Sequence, residues 1–280
     1  MANLLLLKAG VMGWPVKHSL SPRLHGFWLR HFVLNGSYDI LPVLPEALAP
    51  TLRTLAKDGF RGVNLTVPHK EAACALVHSL DDDARRIGAV NLIVVGEDGK
   101  LQGRNTDAYG FTQNLLTNGV KPGGAALMLG AGGAARAVIV ALIDMGYSEI
   151  RIANRTRERA EKLAREFATL SCKITTVDWN AAADSMGGIS LLVNTTSLGM
   201  SGQMPLDVSL AALPKDAAVT DIVYAPLDTG LLQKARARGH KTVDGLGMLL
   251  HQARPAFAAF YGRTPDVTPE LRQFVLAGRN

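Results

Sequence analysis

Lys70 stands where an apolar, strand-like stretch ends, in "NLTVPHK", residues 64–70. Proline has no N–H and a fixed φ, so a strand that reaches Pro68 is expected to end there. Lysine is rarely buried without a partner, so an ammonium at a strand end is a candidate for holding an anion or donating a proton. The simpler interpretation is a surface lysine at a helix start, which the helix dipole disfavours.

Four further stretches contain polar side chains that could bind a ligand. Ser19 and Ser21 in "KHSLSP" could direct two hydroxyls at one carboxylate, although Ser21 is also a good helix N-cap. Asn91 ends "GAVN" and could bind a hydroxyl or simply end a strand. Asp107 in "NTDAYG" could act in catalysis or cap the helix that follows it. Gln252 lies in a helical pattern, where a solvated face is the plainer interpretation.

A glycine-rich segment, "ALMLGAGGAARAV", carries the pattern G-x-G-x-x-A at Gly130, Gly132 and Ala135. It follows a predicted strand and opens a predicted helix, which is the context that a dinucleotide-binding turn requires. Gly132 would let backbone N–H groups approach a pyrophosphate at the helix N-terminus. The alternative is a turn that merely packs well. The predicted pyrophosphate loop consists of Gly130, Ala131, Gly132, Gly133 and Ala134.

The end of the next predicted strand, "ANRTRERA", indicates which dinucleotide is bound. An NAD site typically has Asp or Glu here, whereas this chain has Asn154, Arg155, Thr156 and Arg159. Two guanidinium groups and a hydroxyl suit a 2′-phosphate, which an acidic residue would repel. The alternative is a basic helix start with solvated arginines. The sequence therefore predicts NADP as the cofactor.

The elements that position these residues follow from the apolar patterns. Short apolar runs alternate with helical patterns along most of the 280 residues, which predicts parallel βαβ units. Asp98-Gly99 predicts a hairpin that adds antiparallel strands to the first sheet. The first helix is expected to use Ser21 as N-cap and Gly36 as terminator, and Leu4 to Leu7 read as a buried strand.

These patterns predict an α/β protein of two domains. Residues 1–107 with 242–280 form a mainly parallel α/β substrate domain, and residues 108–241 form a Rossmann-like dinucleotide-binding domain. The C-terminal helices have no strand partners and are expected to return to the first domain. A net charge of +6 without a Lys/Arg block argues against nucleic acid. No apolar run has the ~20 residues of a membrane span, and two distant cysteines favour the cytoplasm.

Together the motifs resemble the shikimate dehydrogenase family. The matching stretches, in the family's order and over nearly the whole chain, are "GWPVKHSLSP", "NLTVPHK", "GAVN", "NTDAYG", "LGAGGAAR", "NRT", "VNTTSLGM", "DIVYAP" and "DGLGMLLHQA". The resemblance implies NADP-dependent, reversible reduction of 3-dehydroshikimate to shikimate in aromatic amino-acid biosynthesis. One departure is visible: Leu92 stands where the family commonly has Thr.

The resemblance also implies roles for individual residues. Lys70 and Asp107 match the catalytic pair, and Ser19 and Ser21 match the serines that bind the substrate carboxylate. Further substrate-binding positions are matched by Thr66, Asn91, Tyr224 and Gln252. The nicotinamide side of the cofactor is matched by the loop that contains Thr196 and by Gly245. During reduction negative charge builds on the carbonyl oxygen, which a lysine ammonium held by an aspartate could protonate.

Other interpretations stay open. A quinate/shikimate dehydrogenase with relaxed substrate or cofactor choice would have the same architecture, because one added hydroxyl discriminates weakly. A non-catalytic metabolite sensor on this fold is disfavoured, since Lys70 and Asp107 are both retained. No Cys/His/carboxylate spacing predicts a metal site. A monomer or homodimer that acts on a small molecule is expected.

Overall fold

The computed structural model describes residues 6–278, and the chain divides into two compact units. Unit 1 comprises Met1–Gly110 and Leu249–Asn280, and unit 2 comprises Phe111–Met248. The sequence analysis placed the domain bounds after residues 107 and 241, whereas the units change over after Gly110 and Met248. Both changes of unit fall inside helices, α4 (Asp107–Thr117) and α8 (Leu246–Tyr261).

Unit 1 is built on one mixed sheet. Its strands are β1 (Leu7–Gly13), β2 (Gly36–Pro42), β3 (Phe60–Leu65), β4 (Ser79–Leu80), β5 (Leu92–Val95) and β6 (Leu101–Arg104), in the order β2-β1-β3-β5-β6-β4. β1 is parallel to β2 and β3, while β5 is antiparallel to β3 and β6, as the hairpin signal predicted. Consequently β1, β3 and β6 end at the edge where β5 begins, which we call the carboxyl edge.

Helices cover this sheet and supply its core. They are α1 (Ser21–His31), α2 (Leu48–Thr54), α3 (Asp82–Ile87), α8 and α9 (Pro269–Leu276). Leu48 and Leu52 of α2 pack with the β3 side chains Val63 and Leu65 in a buried cluster. The sequence analysis did not predict α3, although Asp81 caps it by accepting from the Ala84 N–H at 2.7 Å.

The C-terminal helices pack on unit 1, as predicted. The Trp28 indole N–H donates to the Asp266 carbonyl at 3.2 Å, and Arg23 Nε donates to the Phe274 carbonyl at 2.6 Å. The Tyr261 hydroxyl donates to the Ser37 carbonyl at 2.7 Å. These bonds tie residues near the end of the chain to its first helix and second strand.

Several local predictions for unit 1 were wrong. Ser21 lies inside α1 rather than capping it: the residue at the N-cap position is Leu20, and no side chain caps the helix. The helix ends at His31, and Gly36 instead starts β2, where a Cβ would meet Leu29 Cδ2 at 2.8 Å. Lys70 precedes only a short 3₁₀ turn, because the chain bends again within a few residues.

The "LLLL" strand prediction is met in part. β1 begins at Leu7, and Leu6 is 44% exposed. Leu4 and Leu5 lie outside the described residues.

Unit 2 is a parallel sheet of the doubly wound type. Its strands are β7 (Gly124–Leu129), β8 (Tyr147–Ala153), β9 (Lys173–Val177), β10 (Leu191–Asn194), β11 (Ala218–Asp221) and β12 (Thr242–Val243). Their order, β12-β11-β10-β7-β8-β9, is the Rossmann order read from the other side. Its helices include α5 (Gly133–Asp144), α6 (Arg157–Glu166) and α7 (Gly230–Ala237). The predicted α/β class with a Rossmann-like unit is confirmed.

Helix α5 is almost entirely buried, because its sequence is apolar on nearly every face. It packs against β8, the neighbour of β7, and the last four residues of β7 are fully buried. The N-terminus of α5 is thereby fixed at the end of β7, where the glycine-rich segment lies. Across the described part of the chain, no helix is both long and apolar enough to cross a bilayer.

His25 is a buried histidine whose two ring nitrogens have no hydrogen-bond partner among the described residues. Its ring stacks on Tyr38 with centroids 3.9 Å apart and also lies beside Trp28, Phe257 and Phe260. Burial lowers the pKa of His25 from 6.5 to about 3. The unfolded chain therefore takes up a proton below pH 6.5 that the folded chain refuses, and stability falls as the pH falls.

We therefore expect His25→Phe, which keeps the ring stack, to remove part of the acid-side loss of stability. At pH 5 the loss caused by His25 is about 2 kcal/mol relative to pH 7.5. Urea unfolding at both pH values measures it. His31→Gln, an exposed histidine of the same helix, should keep the wild-type pH dependence. If the free energy of unfolding changed equally between the two pH values in wild type and His25→Phe, the loss of stability could not be assigned to His25.

Candidate active site and cofactor site

The ammonium of Lys70 contacts the carboxylate of Asp107 in unit 1. Lys70 Nζ lies 2.6 Å from Asp107 Oδ2, and the two side chains are 20% and 9% exposed. Lys70 comes from the segment after β3, and Asp107 is the first residue of α4, just beyond β6. Because β3 and β6 end at the carboxyl edge, residues 37 positions apart meet there. Within the described residues this is the only polar contact of the ammonium, so two of its three N–H groups remain for a ligand.

Backbone hydrogen bonds fix both members of the pair. The Lys70 carbonyl accepts from the Val90 N–H at 2.8 Å, which ties the lysine to the start of β5. The Asp107 N–H donates to Asn105 Oδ1 at 2.9 Å, and Asn105 Nδ2 donates to the Ala89 carbonyl at 2.8 Å. The carboxylate and the ammonium are therefore held from two neighbouring segments of the same edge.

Asn91 links Asp107 to the other polar residues. Its Nδ2 donates to Asp107 Oδ1 at 2.8 Å and lies 3.3 Å from Gln252 Oε1. Its Oδ1 accepts from the Thr106 N–H at 2.8 Å. Both Asp107 oxygens thus have a donor, one from Lys70 and one from Asn91. The structure brings Lys70, Asn91, Asp107 and Gln252 together in one hydrogen-bonded group.

Two buried residues that the sequence analysis missed, Tyr38 and Asn64, hold Asn91 in place through hydrogen bonds. The Tyr38 hydroxyl donates to Asn64 Oδ1 at 2.8 Å, and Asn64 Nδ2 donates to the Asn91 carbonyl at 3.0 Å. Burial raises the pKa of Tyr38, so its hydroxyl keeps the proton that it donates. Asn64 was hidden in an apolar strand pattern; its polarity at a buried strand position was the available signal.

Ser19, Ser21 and Thr66 lie at the same edge. Ser19 and Ser21 follow β1, and the Ser21 N–H donates to Ser19 Oγ at 3.3 Å. The Ser21 side chain lies near the Tyr38 hydroxyl, so it does not cap the helix as first considered. Thr66 follows β3, and its N–H donates to the Met12 carbonyl at 2.9 Å. Its hydroxyl has no hydrogen-bond partner among the described residues.

Two neighbouring residues have structural roles. His69 is buried, and its Nε2 lies 2.8 Å from the Val43 carbonyl, which can only accept, so this nitrogen carries the proton. Leu92, the position that departs from the family pattern, is 1% exposed. The Leu92 side chain is therefore part of the core, where an apolar residue is harmless.

In unit 2 the glycine-rich segment forms the turn between β7 and α5. Gly130 has φ +108°, and a Cβ there would lie 2.6 Å from Thr195 Oγ1, so only glycine fits. Gly132 precedes α5, and a Cβ there would have nothing within 4 Å. The turn is therefore closed against the protein at Gly130 and open at Gly132, as a pyrophosphate-binding turn requires. Ala131 lies between these glycines, and Gly133 and Ala134 begin α5.

A cavity of about 220 Å³ continues from this turn. Its lining includes Gly130, Ala131, Gly132, Asn154, Arg155, Arg159, Trp179, Thr195, Thr196, Ser197 and Leu198. The pyrophosphate turn thus shares one cavity with Asn154, Arg155 and Arg159, whereas Thr156, the fourth predicted 2′-phosphate residue, does not line it. The residues present fit an NADP molecule at both of its phosphate groups.

The arginines near the cavity differ in their partners. Arg157 forms ion pairs with Glu161 and Asp178. Arg155 and Arg159 line the cavity and, within the described residues, pair with no carboxylate. Cations without a carboxylate partner are available to an anionic ligand, which supports the earlier selection of Arg155 and Arg159.

The other predicted cofactor residues are partly engaged in the protein. Asn154 Nδ2 donates to the Thr156 carbonyl at 2.7 Å, and Thr156 is the N-cap residue of α6 without a side-chain cap. The Thr196 hydroxyl donates to Asn194 Oδ1 at 2.7 Å and accepts from the Leu198 N–H at 3.0 Å. These bonds shape the cavity wall, so the Thr196 hydroxyl is already used within its loop.

Gly245 and Tyr224 belong to unit 2. A Cβ on Gly245 would lie 2.2 Å from the Ile222 carbonyl oxygen, so close backbone packing alone requires this glycine. Tyr224 is half-buried and follows β11. Its predicted contact with substrate stays a prediction. Among residues 6–278 there is no group of three or more His, Cys, Asp or Glu side chains that could hold a metal ion.

Comparisons with known proteins agree with both halves of the chain. The family model of the shikimate dehydrogenase substrate binding domain matches residues 11–93, and that of shikimate / quinate 5-dehydrogenase matches residues 120–186. The shikimate dehydrogenase (NADP(+)) of Paramagnetospirillum magneticum is 57% identical over 96% of this chain and 98% of its own length.

Two solved structures are similar over nearly the whole chain. The shikimate 5-dehydrogenase of Thermus thermophilus, in complex with NADP(H) and shikimate, is 40% identical with a TM-score of 0.86, covering 97% of this chain and 99% of its own. The quinate dehydrogenase of Corynebacterium glutamicum, in complex with NAD, is 30% identical with a TM-score of 0.90 and the same coverage. With its family-model matches and its high identity to curated relatives, this chain belongs to the shikimate dehydrogenase family.

Proposed function

We propose that this chain catalyses the NADP-dependent, reversible reduction of 3-dehydroshikimate to shikimate, a step of aromatic amino-acid biosynthesis. The observation that carries the proposal is the 2.6 Å contact between Lys70 Nζ and Asp107 Oδ2 at the carboxyl edge of unit 1. A relative named as an NADP(+) shikimate dehydrogenase, 57% identical over 96% of the chain, supports the choice of substrate.

The chain's own residues supply the proton and the orientation. NADPH, when bound, supplies the hydride that reduces the carbonyl carbon. Lys70 donates a hydrogen bond, and then a proton, to the oxygen on which negative charge develops. Asp107 holds the ammonium in place, and Asn91 holds Asp107. In the reverse direction Lys70 takes the proton from the hydroxyl.

Substrate binding is assigned to the side chains around this pair. The two hydroxyls of Ser19 and Ser21 bind the ring carboxylate, and the Thr66 hydroxyl binds a ring hydroxyl. Gln252 and Asn91 already share a hydrogen bond and bind the hydroxyls nearest the reacting carbon. Tyr224 is also assigned to substrate binding, on the ground of the sequence resemblance alone.

The cofactor is assigned to unit 2. The α5 N-terminus with Gly130 to Ala134 binds the pyrophosphate, and Asn154, Arg155, Thr156 and Arg159 bind the 2′-phosphate side. Thr196 and Gly245 lie on the nicotinamide side of the cofactor. The chain is further proposed to work as a cytoplasmic monomer or homodimer without nucleic acid, since its charge of +6 contains no dense basic block and its two cysteines lie in different units.

The direct test measures the formation of NADPH or NADH at 340 nm, the absorption band of the reduced nicotinamide. Shikimate and quinate are each offered with NADP and with NAD. We expect shikimate with NADP to give the highest kcat/KM. A higher kcat/KM for quinate than for shikimate would replace the proposed function with that of a quinate dehydrogenase. Turnover with NAD but not with NADP would contradict the proposed cofactor.

Quinate is included in the assay because the overall fold does not distinguish the two activities. The Corynebacterium glutamicum quinate dehydrogenase matches this chain with a TM-score of 0.90. Quinate and shikimate share the carboxylate and the reacting hydroxyl, and one added hydroxyl is rejected only by a pocket built against it.

Lys70→Ala tests the proton donor. We expect kcat to fall by at least ~10²-fold with a much smaller change in the KM for shikimate, because the ammonium acts on charge that develops during reaction. Lys100→Ala, a surface lysine paired with Asp98, is the matched control and should keep full activity. Near-normal turnover by folded Lys70→Ala would remove Lys70 from the mechanism.

Replacing Arg155 and Arg159 by glutamine tests the choice of cofactor. The KM for NADP should rise far more than the KM for NAD, because only NADP has the 2′-phosphate. Arg165→Gln removes one positive charge from an exposed position of α6 and controls for long-range electrostatics in each single arginine variant. Equal effects on the KM values of NADP and NAD would show that the two arginines do not bind the phosphate.

A further inference from the structure

Trp179 contributes the only aromatic ring to the lining described for the unit 2 cavity. The sequence analysis gave this tryptophan no role. It is partly buried and packs against the core cluster of unit 2, so one part of the indole rests on the protein while another borders the cavity. A large aromatic side chain in this setting can stack on a flat ligand group.

The sheet topology places Trp179 beside the arginines. β9 is parallel to β8, and its last residue, Val177, is paired with Ala153. Asp178 and Trp179 follow the end of β9. Asn154 and Arg155 follow the adjacent end of β8, so the two pairs of residues are neighbours. Trp179 also begins a short 3₁₀ turn, Trp179–Ala181, so the chain turns directly after β9 and Trp179 stays beside the cavity.

The charges around Trp179 favour an anionic ligand despite an adjacent carboxylate. Asp178 would repel a phosphate, but it is engaged by Arg157. Arg155 and Arg159 face the cavity without a carboxylate partner among the described residues. The indole thus borders a space in which positive charge is in excess.

We propose that the indole of Trp179 stacks on the adenine ring of the bound dinucleotide. This rests on the proposed function for the presence of NADP. The 2′-phosphate of NADP is carried by the adenosine ribose, so the base nearest to Arg155 and Arg159 is adenine rather than nicotinamide. An aromatic ring next to the phosphate-binding arginines therefore meets adenine.

Fluorescence gives a direct test, because the chain has three tryptophans and Trp179 is the only one in unit 2. Adenosine 2′,5′-bisphosphate is the probe, since it carries adenine and the 2′-phosphate but no nicotinamide. We expect it to change the tryptophan emission of the wild-type protein and to leave that of Trp179→Phe unchanged. The same emission change in both proteins would overturn the proposal.

Affinity measurements separate stacking from folding. Trp179→Leu should raise the Kd for adenosine 2′,5′-bisphosphate roughly tenfold, which is a typical loss of affinity when an aromatic ring that stacks on a base is removed. Trp179→Phe, which keeps a ring, should stay within about threefold of wild type. Wild-type affinity of folded Trp179→Leu for the bisphosphate would overturn the proposal.

These results are distinguishable from a failure of the proposed function. If wild-type protein binds the bisphosphate through Trp179 but does not oxidise shikimate, the stacking stands and the proposed substrate is wrong. The protein could instead oxidise shikimate with NADP while the bisphosphate does not bind, or binds equally well without Trp179. In that case the stacking alone is wrong. Should Trp179→Leu fail to fold, the fluorescence comparison of wild type with Trp179→Phe still decides.

Discussion

The contact between the Lys70 ammonium and the Asp107 carboxylate is the interaction on which the polar edge of unit 1 depends. A charged pair that is largely removed from water requires hydrogen bonds to its remaining donors and acceptors. Asn91 supplies one to Asp107, and Tyr38 and Asn64 in turn support Asn91 from the buried side. Within the described residues no second acceptor contacts the Lys70 ammonium, so two of its N–H groups remain for a ligand. This arrangement suits proton donation to a substrate that enters from the edge.

The topology explains why such a pair can form. In a wholly parallel sheet the start of β5 would lie at the edge opposite to the end of β3. The antiparallel hairpin of β5 and β6 instead brings the start of one strand and the end of the other to the carboxyl edge. Asn91 and Asp107 reach Lys70 for that reason. In unit 2 a parallel sheet gathers strand ends at one edge, where ion pairs decide which arginines remain for a ligand: Glu161 and Asp178 engage Arg157, and the adjacent arginines stay available.

Much of the fold could be predicted from the sequence, because apolar periodicity and the Asp98-Gly99 turn fix element type over most of the chain. The glycine-rich turn was also predictable, since its spacing follows from one backbone geometry. Residues with two local uses were not: Ser21 suited an N-cap, but it is already the first residue of the helix. Asn64 and Tyr38 were missed because alternation along a strand does not reveal which buried residue bonds to a distant one. The partner of Arg157 in Asp178, 21 residues away, was equally invisible.

A double-mutant cycle of Lys70→Met and Asp107→Asn, with kcat as the readout, tests most directly whether the two residues depend on each other in catalysis. If Asp107 serves chiefly to hold the lysine, each single variant should lose most of the activity, and the double variant should lose little more than the worse single variant. The loss in the double variant would then fall well short of the product of the two single losses. Losses that multiply would contradict this, because they would show that Lys70 and Asp107 contribute to turnover independently.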